Sequence, residues 1–247
     1  MKTTNNSKPK TSIGVRAIGS KFKVLRVVPK RAMEAFRQAV WLKDLQIVDG
    51  LEGGIPDLVI EMSYSFSSSE HLNTAYHRWL RGTLASPITV KKIAEKFEYS
   101  DRCFNLPLYD LLNYQSNKHL SEIEIDLLVS EYLEKTSEGI LVWRLPVWDR
   151  FGSTVHHEYF ELNDSEYLKQ KRDIFGFIAI LALLRKSIYY DQTNLVYEYS
   201  SHLIDSLMAL DEQDPFYHFQ EQLFNLIRHL LFKVPCISTE AKKILIN

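Results

Sequence analysis

The chain is predicted to be mainly α-helical with one small β-hairpin: a helical N-terminal domain followed by a C-terminal helical bundle. Three observations lead there. Apolar residues recur at three- and four-residue spacing through most of the chain, the period of an amphipathic helix. Two strand-like runs, residues 140–148 and 154–162, flank a Gly-containing turn. Charge is segregated, with 18 basic and 11 acidic side chains in residues 1–120 against 12 and 20 in residues 121–247.

In chain order, residues 1–12 hold Lys, Thr, Asn, Ser and Pro with no apolar run and read as unstructured. Residues 21–28 interrupt an apolar run with Lys21, Lys23 and Arg26, which suits a short strand or an extended arm. Pro29 suits the first position of a helix over residues 30–45. That helix places Met33, Phe36 and Val40 on one face and Arg31, Arg37 and Lys43 toward solvent. Residues 49–56 are a loop by their Gly and Pro content, and residues 57–66 fit helix or strand. A helix capped within residues 67–69, with Glu70 in its first turn, runs to about Leu80 and stops at Gly82. Ser86-Pro87 opens the next helix. It turns Val90, Ile93, Ala94 and Phe97 inward, and Lys91, Lys92, Glu95 and Lys96 outward.

Pro107 starts a short helix over residues 108–114. Ser121 with Glu124 three residues on is a capping box, and the helix behind it is expected over residues 121–135. The runs 140–148 and 154–162 pair across the turn 149–153 as a hairpin. Helices over residues 165–190, 193–210 and 215–233, punctuated by Pro215 and Pro235, complete the expectation.

At 247 residues the chain is long enough for two domains with real cores. The expected division is a flexible basic arm over residues 1–20, a basic domain over residues 21–120, and an acidic, mostly helical domain over residues 121–247 carrying the hairpin 140–162. Cys103 and Cys236 stand far apart without CxxC spacing, which argues against a disulfide framework or structural zinc and for a reducing cytoplasm. No apolar stretch follows the basic start, so no secretory signal is expected. The most apolar run, residues 174–184, is bounded by Asp173 and Arg185 and is too short to span a bilayer. No membrane association is expected.

The first 43 residues carry eleven Lys or Arg and one acid, Glu34, although the whole chain is net −1. Solubility needs charge of either sign, so this segregation points to a polyanionic partner, nucleic acid above all. Lys21, Lys23, Arg26, Lys30 and Arg31 are the candidate phosphate contacts on structured chain.

Residues 72–99 contain Trp79, Arg81 and Gly82, then Pro87, then the Ile93-Ala94 pair with Phe97 behind it. This segment resembles the core of the lambda-repressor-like (Xre-type) helix-turn-helix family. The resemblance implies a helix-turn-helix-like domain whose helix near residues 71–81 enters the major groove of double-stranded DNA. The residue types agree with that reading. Short polar side chains reach base edges and basic ones grip phosphates. His71, Asn73 and Thr74 lie early in the helix, with His77, Arg78 and Arg81 further along, and Lys91 and Lys92 follow on the next helix. Asn pairs with adenine and Arg with guanine. Trp79 faces inward. The structural alternative is that Trp79, Ile93, Ala94 and Phe97 are core residues of any helical domain and that Lys91, Lys92 and Lys96 are a solvated face.

Other chemistry is poorly represented. Pro56, Asp57 and Glu61 are similar to the PD-(D/E)xK nuclease signature, but Ser63 stands where the Lys belongs. His156 and His157 are neighbours in a strand, point to opposite faces and cannot readily share a metal. GxxxxGK[ST] and GxGxxG are missing, so no cofactor and no enzymatic activity are expected. Apolar stripes at Ile174–Leu184, Leu203, Leu207, Leu223, Ile227, Leu230 and Leu231 suit either homodimerisation through the C-terminal helices or an intrachain core. The expected function is a cytoplasmic DNA-binding transcriptional regulator of bacterial or mobile-element type. The alternatives are a protein–protein adaptor or assembly subunit, and an RNA-binding component of a larger complex.

Overall fold

The computed structural model describes residues 30–48, 69–95, 97, 100–113, 120–147, 156–212 and 214–232. These residues are mainly helical, with one small antiparallel sheet, as the periodicity predicts. The chain divides into two compact units between Phe104 and Asn105.

The first unit contains α1 (Lys30–Val48), α2 (Ser69–Leu80) and α3 (Pro87–Ala94). Stop and start signals between α2 and α3 act as the sequence predicts. Gly82 takes a left-handed φ of +83° just past α2. The Gly82 N–H donates to the Trp79 carbonyl at 2.8 Å and the Thr83 N–H to the Arg78 carbonyl at 3.0 Å, a Schellman ending. Ser86 caps α3 by accepting the Thr89 N–H at 3.2 Å, and Pro87 occupies the first turn.

The second unit begins with α4 (Leu108–Leu112) and α5 (Glu122–Leu128). Strands β1 (Leu133–Lys135), β2 (Leu141–Pro146) and β3 (His157–Glu161) form a sheet in that order. Then come α6 (Ser165–Leu168), α7 (Ile174–Tyr189), α8 (Thr193–Met208) and α9 (Gln220–Phe232). The β2–β3 pairing, Val142 opposite Glu161 through Pro146 opposite His157, is the predicted hairpin.

Two expected helices are shorter than the periodicity allows. The capping box of Ser121 and Glu124 is present, but α5 ends at Leu128 and residues 133–135 become a strand. Leu133 pairs with Trp143 and Lys135 with Leu141, so tertiary hydrogen bonding overrides local helical preference. The turn that permits this runs from Thr136, whose carbonyl accepts the Gly139 N–H at 2.9 Å. The expected helix over residues 165–190 is broken at Arg172, which takes a positive φ of 56°.

That break creates the N-terminus of α7, whose residues from Ile174 to Arg185 are all buried. An isolated apolar helix end needs partners for its free N–H groups. Asp173 Oδ1 accepts those of Phe175 and Gly176, both at 3.0 Å, and Asp214 Oδ2 accepts that of Ile174 at 2.9 Å. The ammonium of Lys171, itself only 2% exposed at the side chain, sits 3.0 Å from Asp173 and 2.8 Å from Glu158. Helices α4, α5, α6 and α8 and strand β2 pack around α7. The stripes offered by Leu203, Leu207, Leu223, Ile227, Leu230 and Leu231 are likewise buried within the chain. A homodimer would need a different surface.

Two glycines are required by close approach. A Cβ at Gly82 would lie 2.7 Å from the Ala35 Cβ, and one at Gly176 would lie 2.5 Å from the Leu168 carbonyl oxygen. Gly82→Ala, strained in φ as well as crowded, is expected to lower stability by at least about 2 kcal/mol. Gly176→Ala is expected to lower it by about 1–3 kcal/mol, both read from denaturant midpoints. Burial pushes the Asp173 carboxyl above its usual value, against the pull of Lys171 and of the Gly176 and Phe175 N–H groups. A raised folded pKa makes this group's contribution greatest below the unfolded Asp value of about 3.9 and smaller as pH rises through the folded value. The stability of Asp173→Asn relative to wild type should therefore rise as pH rises from about 4, measured as urea midpoints over a pH series.

Candidate nucleic-acid interface

The first unit closes on a core of Trp41, Leu42, Leu45, Tyr76, Trp79, Ala85, Val90, Ile93, Phe97 and Phe104. Three aromatic pairs hold it. Trp41 meets Trp79 edge-on at a centroid distance of 5.6 Å and Phe104 edge-on at 5.5 Å, and Tyr76 meets Trp79 at 6.4 Å. Burial pushes the Tyr76 phenol above its usual value, partly offset by a hydrogen bond with Gln46 of α1. Gln38, fully buried on α1, accepts the Ala85 N–H at 2.7 Å and so ties α1 to the α2–α3 connection.

With Tyr76 and Trp79 inward, the rotation of α2 about its axis is set. Thr74, His77, Arg78 and Arg81 are all exposed. Their spacing of i, i+3, i+4 and i+7 places them on one stripe, opposite the buried pair. Helix α3 buries Val90 and Ile93 and exposes Lys91 and Lys92. His77 and Arg78 sit in the last turn of α2, where positive charge also complements the carbonyl end of the helix.

The remaining predicted residues divide into two groups. His71 and Asn73 lie within α2, and Lys30 and Arg31 within the first turn of α1, but their side chains fall outside the described residues. Lys21, Lys23 and Arg26 lie outside the described residues altogether, as do Pro56, Asp57 and Glu61. Arg37, expected in solvent, is instead used structurally. Its Nε donates to the Phe104 carbonyl, and its guanidinium lies 4.4 Å from the Phe104 ring centroid. A carbonyl acceptor and an aromatic face together replace the water that the partly buried cation loses.

The second unit contains arrangements that the sequence did not announce. Ser165 Oγ lies 2.8 Å from His202 Nδ1, and His202 Nε2 lies 3.3 Å from Glu166. Ser165 is 2% exposed, so the hydroxyl is closed to a substrate and the set pins α6 to α8. A concavity of about 800 Å³ opens beside the 136–140 turn, and among the described residues its lining includes Glu138, Glu161 and Asp164 but no Lys or Arg. It is unsuited to a phosphate. The His157 ring lies 3.5 Å from Arg144. Among the described residues, no group of three His, Cys, Asp or Glu could hold a metal, and no helix is long and apolar enough to cross a membrane.

Comparison with known proteins matches the chain to no family model, no curated protein and no solved structure.

Because the stripe depends on the buried pair, Trp79→Ala is expected to cost about 3–5 kcal/mol of stability, and Tyr76→Phe about 1 kcal/mol through the lost Gln46 bond. Thr74→Ala on the exposed side should stay within about 0.5 kcal/mol. Denaturant melts of the three variants test this, and equal losses at all three positions would contradict the assigned rotation.

Proposed function

We propose that this chain is a DNA-binding protein, a cytoplasmic transcriptional regulator of bacterial or mobile-element type, which reads the major groove through α2. The observation that carries the reading is the stripe of Thr74, His77, Arg78 and Arg81, turned outward by burial of Tyr76 and Trp79 on the opposite side. The resemblance of residues 72–99 to the lambda-repressor-like family, and the concentration of positive charge before residue 44, support it independently. Cytoplasmic placement rests on cysteine usage: Cys103 and Cys236 stand far apart in the chain without CxxC spacing.

The chemistry follows from the side chains. The major groove of B-DNA admits one α-helix. Arg78 has the fork geometry for the O6 and N7 of guanine, and Asn73 the paired donor and acceptor for adenine. Thr74 and His77 add single hydrogen bonds to base edges or phosphate. Lys21, Lys23, Arg26, Lys30, Arg31, Lys91 and Lys92 hold phosphates, which sets affinity without reading sequence.

Binding of the full chain to a randomised duplex pool, followed over salt concentration, tests the reading. With on the order of six phosphate contacts, affinity should fall about a thousandfold between 50 and 200 mM salt. Arg78→Ala or Asn73→Ala should relax sequence preference at a cost of about 1–3 kcal/mol on the preferred site. Removal of residues 1–20 should weaken binding to all sequences alike. Failure to retain any duplex at low salt, or strong preference for structured RNA over duplex DNA, overturns the proposal.

A further inference from the structure

We infer that α3 makes a second contact with the same duplex, seating Ile88 against a thymine 5-methyl group and placing Lys91 and Lys92 on flanking phosphates; this rests on the DNA-binding reading above. The starting observation is exposure. Ile88 is 72% exposed, whereas the other exposed large apolar residue described in the first unit, Leu80, is at 38%. Ile88 is not on a frayed end. Ser86 caps the helix through the Thr89 N–H, the Ser86 and Thr89 hydroxyls lie 2.8 Å apart, and Pro87 precedes Ile88 directly. The opposite side of α3 is anchored by Val90 and Ile93, 2% and 1% exposed. A β-branched side chain held on a capped helix is stiff, so little rotamer freedom is lost when it meets a partner.

The company Ile88 keeps identifies that partner. Lys91 and Lys92 stand three and four residues on, on the same stripe, and both are exposed. One aliphatic group flanked by two cations does not fit the same patch on a second copy of this chain, because a symmetric contact would bring the same cations against them. A lipid surface requires a broad apolar face, and Ile88 is the one large apolar side chain that α3 exposes. Duplex DNA supplies both complements at this scale. Its backbone is anionic, and the apolar group it displays in the major groove is the thymine methyl, which aliphatic side chains contact.

The test uses the full chain and a duplex enriched from a randomised pool, compared with the same duplex carrying deoxyuridine in place of thymine. Deoxyuridine lacks only the 5-methyl group. Wild type is expected to bind the deoxyuridine duplex about fourfold more weakly for a single buried methyl. Ile88→Ala should bind the thymine duplex more weakly by a similar factor and should no longer distinguish the two duplexes. Lys91→Ala should lose affinity for both equally and keep the distinction. Thermal unfolding of Ile88→Ala should match wild type, because the residue is exposed. Equal binding of both duplexes by wild type, or full discrimination retained in Ile88→Ala, overturns this inference alone. A change of oligomeric state in Ile88→Ala with unaltered DNA binding also overturns it, in favour of a protein contact. Absence of any duplex binding by wild type overturns this inference together with the reading it rests on.

Discussion

The edge-to-face packing of Trp79 on Trp41 is the contact on which the candidate interface depends. A helix of twelve residues has no preferred rotation of its own. Burying one indole at a 5.6 Å ring separation, with Tyr76 beside it, chooses one. Once that choice is made, Thr74, His77, Arg78 and Arg81 have nowhere to go but outward. The Gly82 turn and the Gln38–Ala85 bond then hold α3 to the same core, because a left-handed residue and a close approach to Ala35 leave the connection little freedom. The exposed groups are thus presented by rigid elements, and the cost of ordering them falls on folding and not on binding.

The second unit obeys a different constraint. Helix α7 is apolar nearly all round, and such a helix is stable only when surrounded. Its neighbours α4, α5, α6, α8 and β2 supply that surround, and Asp173 and Asp214 satisfy the backbone donors that burial takes from water. This consumes the apolar stripes of the C-terminal half. The nucleic-acid reading therefore needs nothing from them, and rests on side chains whose polarity and charge keep them at the surface.

Local signals were legible wherever one or two residues decide the outcome. The Ser86-Pro87 start, the Gly82 stop and the Ser121–Glu124 capping box are each set by side-chain-to-backbone bonding or by restricted φ. Signals failed where distant partners compete. Residues 133–135 have a helical pattern but find hydrogen-bond partners in residues 141–143. Residues 165–190 look like one helix, yet the helix breaks at Arg172, which takes a positive φ, and Asp173 caps α7. Arg37 looked like a solvent-facing cation, and only the carbonyl and ring of Phe104, 67 residues away, gave it another place.

The sequence by itself determined the helical class, the helix ends marked by a cap, a proline or a glycine, the segregation of positive charge and the residue types available to a nucleic acid, because each is written in local periodicity or composition. Tertiary structure alone decided which face of α2 is outward, that Ile88 stands exposed between two lysines' reach, and that the C-terminal stripes close on themselves. Those outcomes depend on which side chains bury against which, and a helical period names a face without saying what covers it.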